Sequence, residues 1–150
     1  MSDAALIVGI GNIYRSDDGV GPVVAGALAE RGLNTAIHAG DGTGLMDLFE
    51  KHESVVLIDA TRSNAEPGTL IVLDAAAKRL SADLFHYSTH RFGLAEAVET
   101  ARALGTLPKK LIVCGIEGAE FGAGTDLSPQ VARAANALIA YLASSLGAGS

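Results

Sequence analysis

"AALIVGIGNIYRSDDGVGPVVAGALAERG", Ala4 to Gly32, joins an apolar run to a helical stripe through a turn rich in glycine and aspartate. Ala4 to Gly9 has no polar residue, the pattern of a strand buried on both faces. Val20, Val23, Val24, Ala27 and Leu28 then recur at the spacing of one helix face. Pro22 suits the first turn of that helix, where a missing N–H costs nothing, and Gly32 supplies its stop signal. A strand leading straight into a helix sets the expectation for the rest of the chain.

Outward from this unit the alternation continues. Asn34 to His38 reads as a second, weaker strand, "GDGTG" as a loop, and Leu45 to Lys51 as a short helix. "SVVLIDA", Ser54 to Ala60, is the most strand-like segment, and "TLIVLD", Thr69 to Asp74, follows the turn "NAEPG". The eight residues Thr61 to Gly68 are too few for a parallel crossover, which needs about a dozen. Thr69 to Asp74 is therefore expected to run antiparallel to Ser54 to Asp59. Ala75 to Phe85 matches neither period. Gly93 to Leu104 reads as a helix, Lys110 to Glu117 as the last strand, and "LSPQVARAANALIAYLASSL" as a long closing helix with Ser128 as cap and Pro129 in its first turn. The expected fold is a three-layer α/β sandwich: a mostly parallel twisted sheet of about five strands, one of them antiparallel, with helices on both faces.

The 150 residues fit one domain, and 49% hydrophobic residues are enough for a full core. A net charge of −6 argues against nucleic acid as a partner. Cys114 is the single cysteine, which suits a reducing cytoplasm. Met1 to Gly11 lacks the basic and cleavage-site features of a signal peptide, and no apolar run approaches the roughly 20 residues that span a bilayer. These features predict a cytoplasmic protein with no membrane partner, monomeric by default.

In an open α/β sheet, sites form beyond the carboxyl ends of the parallel strands. Asp17 and Asp18, the turn Gly40 to Thr43, Asp59, Glu117 and the loop "HYSTHRFG" all fall there. Asp59 interrupts the apolar run Val55 to Ile58, either as a turn residue or as a functional carboxylate. Ser16, Asp17 or Asp18 can cap the following helix, leaving a surplus carboxylate for chemistry. Asp18, Asp59 and His90 together form an O/O/N set suited to a borderline divalent ion such as nickel or zinc. Asp18 and Asp59 are the candidate catalytic carboxylates, and Gly42 and Thr43 the candidate substrate-binding positions. His86 and His90 lack the glutamate of a zincin motif. His38 and His52 are isolated, Cys114 reads as a buried inert thiol, and Glu117 as a polar neighbour of the site. A dinucleotide site is disfavoured because Tyr14 stands at the third glycine of the fingerprint and Asp18 would repel a pyrophosphate.

"GIGNIYRSDDGVG", "VLIDA", "PGT", "STHRFGLAEAV" and "GIEGAEFGAGTDLSPQV" together resemble the [NiFe]-hydrogenase maturation endopeptidases, in order from Leu6 to about Val131. The resemblance implies a peptidase that removes the C-terminal extension of a hydrogenase large-subunit precursor once nickel has been inserted. It places the metal contacts on Asp18, Asp59 and His90, with the nickel supplied by the precursor and zinc or cadmium able to substitute. The chain departs from the family pattern twice: Asp18 stands where glutamate is frequent, and Gly40 stands where an aspartate often begins the turn, with Asp41 one position later. The absence of a serine or cysteine beside a recognisable base disfavours a covalent route. The alternatives are a nucleotide-binding α/β enzyme and a non-catalytic chaperone for the hydrogenase subunit.

Overall fold

The computed structural model describes residues 4–85 and 91–147. Among the described residues the strands and helices follow in the order β1 (Leu6–Ile10), α1 (Val20–Glu30), β2 (Thr35–His38), α2 (Gly42–Lys51), β3 (Ser54–Thr61), β4 (Leu70–Asp74), α3 (Leu94–Leu104), β5 (Lys110–Glu117) and α4 (Pro129–Leu142). Short 3-10 turns precede α1 at Ser16–Gly19 and α3 at Ala82–Phe85, and the turn Ala143–Gly147 extends α4.

The sheet order is β2-β1-β3-β5-β4. β1, β2, β3 and β5 are parallel, and β4 alone is antiparallel. The expected three-layer sandwich is therefore present, with one correction. β4 runs opposite to β3 but pairs with β5, from Leu70 opposite Ile116 to Asp74 opposite Ile112. The short link bars a parallel neighbour but does not require a hairpin, and β5 occupies the place beside β3.

Alternation along the buried strands divides the core. Val8, Ile10, Val55, Leu57, Leu111 and Val113 face α2 and α3, packing with Leu45, Phe49, Leu94 and Val98. Ile7, Val56, Ile58, Cys114 and Ile116 face α1 and α4, packing with Val24, Leu28, Val131 and Leu138. Such double-sided burial is what the near-continuous apolar runs of β1, β3 and β5 require. At roughly 1.5–3 kcal/mol per fully buried large aliphatic side chain, these two layers dominate stability. Within α1 the stripe is rotated from the expected one, because Val23 is exposed and Ala25 is buried in its place.

Gly21 sets how closely α1 lies on the sheet. A Cβ there would stand 2.4 Å from the carbonyl oxygens of both Ile10 and Ile58. The close helix–strand approach falls on this glycine, seven residues beyond Tyr14, so the opening loop is not built on the dinucleotide spacing. Cys114 is fully buried, and burial pushes its thiol up to about 12. It is expected to resist iodoacetamide in the native protein and to react only on unfolding, as followed by mass spectrometry.

Candidate active site

The strand order reverses between β1 and β3. α1 follows β1 on one face, α2 leads into β3 on the other, and a crevice opens at the carboxyl ends between them. The cleft has a volume of about 460 Å³, and both Asp18 and Asp59 line it. Ile10, Pro22, Ile37, Phe85 and Leu94 form apolar parts of its wall.

Asp18 sits in the 3-10 turn that joins β1 to α1. The backbone N–H of Asn12 donates to its Oδ2 at 3.0 Å. Burial raises its pKa above the ordinary aspartate value, against the pull of that N–H and of the Arg15 guanidinium. Asp59 lies near the end of β3, opposite Gly115, and its Oδ1 accepts from the N–H of Ala60 at 2.8 Å. Its pKa is raised well above the ordinary value, first by burial and then by the negative charge of Asp18. Each carboxylate thus has one oxygen fixed by a backbone N–H. The two share one cleft closely enough for one to oppose ionisation of the other.

Asp17 is separated from Asp18 by direction as much as by position. Its side chain is 0% exposed and accepts from the N–H groups of Ala119, Glu120 and Ser128 at 2.7–2.8 Å, and from the Ser128 hydroxyl at 2.8 Å. Burial works against its charge, but the four donors prevail and hold its pKa below the ordinary value. The expected capping of α1 by this triplet is therefore corrected: the cap position is Gly19, without a side-chain bond. Ser128 occupies the cap position of α4 but turns its hydroxyl to Asp17. Asp17 ties the loop after β1 to the loop after β5, and so steadies the turn that carries Asp18. The sequence shows two adjacent aspartates and no sign of which is clamped.

The remaining candidates have defined places. Asp41 is the N-cap of α2, accepting from Gly44 N–H at 3.0 Å. This cap starts α2 at Gly42, so most of the expected "GDGTG" loop is the first turn of a helix. Gly42 is buried, donating to the Phe92 carbonyl at 2.7 Å, and a Cβ there would stand 2.1 Å from the Phe92 ring. Thr43 is exposed on the same turn. Ala39 and Gly40, just before them, line the cleft. Glu117 faces away from the cleft into a neighbouring groove, where it accepts from the Thr61 hydroxyl and from both N–H and hydroxyl of Ser63 at 2.7–2.8 Å. It fastens the strand-end link to β4. His90, with His86, Tyr87 and Ser88, lies outside the described residues. Among the described residues, no group of three or more metal-ligating side chains converges on one point, and no helix is long and apolar enough to cross a membrane.

Two carboxylates in a partly apolar cleft, each with an oxygen left over from its backbone bond, form a hard donor pair whose mutual repulsion a cation would relieve. Arg15 also lines the cleft but lies between it and the neighbouring groove, and it lowers the proton affinity of Asp18. Its place was not legible in the sequence, where it is one arginine of a turn.

Comparison with known proteins identifies the family. A family model described as hydrogenase maturation protease matches residues 25–145. The hydrogenase expression/formation protein HupD of Thiocapsa roseopersicina is 31% identical over 134 residues, covering 84% of this chain and 60% of that protein. The hydrogenase 2 maturation protease of Escherichia coli (strain K12) is 32% identical over 119 residues, covering 74% and 71%. The chain spans 60% and 65% of the length of two HupD relatives, from Thiocapsa roseopersicina and Rhodobacter capsulatus. The solved [NiFe] hydrogenase maturation protease HybD from Thermococcus kodakarensis shares the fold, with a TM-score of 0.71 at 24% identity over 95% of this chain and 98% of that one. The span matched by the family model and the identity to these relatives show that the chain is a member of the hydrogenase maturation proteases.

Proposed function

We propose that this protein is an endopeptidase that removes the C-terminal extension of a [NiFe]-hydrogenase large-subunit precursor after nickel insertion. Membership of the family supports the reaction class. The observation that carries the mechanism is the pairing of Asp18 and Asp59 in one crevice at the sheet's reversal point, with ionisation of Asp59 opposed by its neighbour.

The nickel belongs to the substrate. Asp18 and Asp59, joined by His90, hold it through their free donor atoms, and so place the nearby peptide bond over the cleft. The bound ion supplies Lewis acidity and a signal that loading is complete. The backbone N–H groups of Asn12 and Ala60 fix the orientation of the two carboxylates before substrate arrives. The proton of the attacking water passes to a carboxylate oxygen of Asp18 or Asp59 that the ion leaves uncoordinated. The apolar wall from Ile10, Phe85 and Leu94 excludes bulk water from that transfer. Thr43, exposed on the first turn of α2, meets the incoming chain, and Gly42 acts by allowing Phe92 to close on the same turn. The protein works as a cytoplasmic monomer, a setting that the single unpaired thiol of Cys114 suits.

The test is the mass of a large-subunit precursor incubated with this protein, with and without nickel. Loss of the extension from the nickel-loaded form alone is the expected result. Equal cleavage of the nickel-free form would remove the recognition role of the metal, and an unchanged mass in both would leave a chaperone.

A further inference from the structure

β2 and β4 are the two edges of the sheet. The β4 edge is separated from β3 by β5, and no residue of β4 lines the cleft. The β2 edge leads into the cleft: Ile37 lines it, and Ala39 and Gly40 continue the same wall. Ile37 is 58% exposed and, with Ile13 at 46%, gives the cleft an open apolar side.

The hydrogen-bond parity of β2 can be read from its ladder. Ile7 N–H donates to the carbonyl of Asn34 and Gly11 N–H to that of His38. The parallel ladder therefore uses alternate residues, Asn34, Ala36 and His38. Thr35 and Ile37 turn their N–H and C=O groups outward, and among the described residues neither has a backbone partner on that side. Exposed edges are commonly guarded by lysine, proline or an inward charge. "TAIH" has no lysine, proline or acidic residue.

We propose that the free edge of β2 receives the extended C-terminal segment of the substrate as an added strand. Ile37 N–H and C=O bond its backbone, and the side chains of Ile37 and Ile13, both exposed and both lining the cleft, pack against it. An added strand lies three strand spacings, about 14 Å, from β3, a distance that about four residues of extended chain cover after turning over the carboxyl edge. Main-chain bonding supplies affinity along the segment, and the cleft selects the bond. This inference rests on the protease reading above and names how the same site holds its substrate.

The experiment compares Ile37→Pro and Ile37→Ala in steady-state cleavage of nickel-loaded large-subunit precursor. Proline removes only the outward N–H and spares the β1 ladder, a substitution that edge strands tolerate. The expected result is a KM raised about tenfold or more by Ile37→Pro, with kcat within about threefold, and a smaller rise for Ile37→Ala. Amide exchange at Thr35 and Ile37 of the unaltered protein should slow when precursor is added, and this readout decides the matter if the proline variant fails to fold. Unchanged KM in a folded Ile37→Pro variant, or unprotected Thr35 and Ile37 amides with precursor bound, would overturn the edge while leaving the protease intact. A dimer of this chain formed through β2 would assign the edge to a second copy and overturn it equally. Failure of the unaltered protein to cleave any precursor would remove the protease reading, and this one with it.

Discussion

Asp59→Asn is expected to reduce precursor cleavage by about 10²–10⁴-fold while leaving the protein more stable than before. The two effects have one cause. Asp59 is held in a cleft that opposes its ionisation, through burial and through the charge of Asp18. Its folded pKa is raised, so over the range above the ordinary value of 3.8 the folded state keeps a proton that the unfolded chain releases. Stability of the unaltered protein therefore falls as pH rises from about that value through the folded pKa. Asparagine keeps the shape and can accept the Ala60 N–H, but it carries no charge to suppress. The gain at neutral pH is expected at about 0.5–2 kcal/mol, the usual scale for relieving strain at a functional site. Thermal melts of both proteins at pH 4 and pH 7, read beside a cleavage assay, check it. A variant that cleaves at the original rate would show that Asp59 takes no part in cleavage, and one less stable at pH 7 would show that its carboxylate is not opposed.

Asp17→Ala is expected to destabilise the fold by about 3–5 kcal/mol, a large share of the 5–15 kcal/mol typical of a domain. The substitution removes an ionised acceptor and leaves the N–H groups of Ala119, Glu120 and Ser128 without it. The pH dependence has the opposite sign to that of Asp59. The folded pKa of Asp17 is lowered, so its contribution is fully present above the ordinary aspartate value and is lost as pH falls through the folded one. Denaturant melts should thus show the two proteins farthest apart at neutral pH and converging below about pH 3.8. A difference of under 1 kcal/mol at pH 7 would mean that the loops after β1 and β5 do not depend on this clamp. Asp17 and Asp18 thereby separate by assay: the first sets the melting point, the second the cleavage rate.

These paired outcomes mark where residue pattern stops being informative. Two-sided burial writes itself into composition, so β1, β3 and β5 stand out as apolar runs and the α/β alternation follows from them. The reach of a chain is equally local, and eight residues between Thr61 and Gly68 suffice to make the next strand antiparallel. Asp59 is visible for the same reason, as a charge ending a run that otherwise excludes charge. The partner of β4 was not visible, because pairing with β5 depends on a strand that arrives about 40 residues later. Nor was the division of labour between Asp17 and Asp18, since both have the same side chain and adjacent positions.

The amino-acid order by itself determined the layers, the direction of every strand and the sheet edge at which Asp18 and Asp59 lie, because those depend on hydrophobic period and chain length. Only the tertiary structure decided which aspartate is clamped by Ser128 and which enters the cleft, that Asp41 caps α2, and that Ile37 stands on an open edge beside the carboxylates. Each of these is set by groups distant along the chain that meet in space. Burial and hydrogen bonding there distinguish side chains that are chemically identical in the sequence.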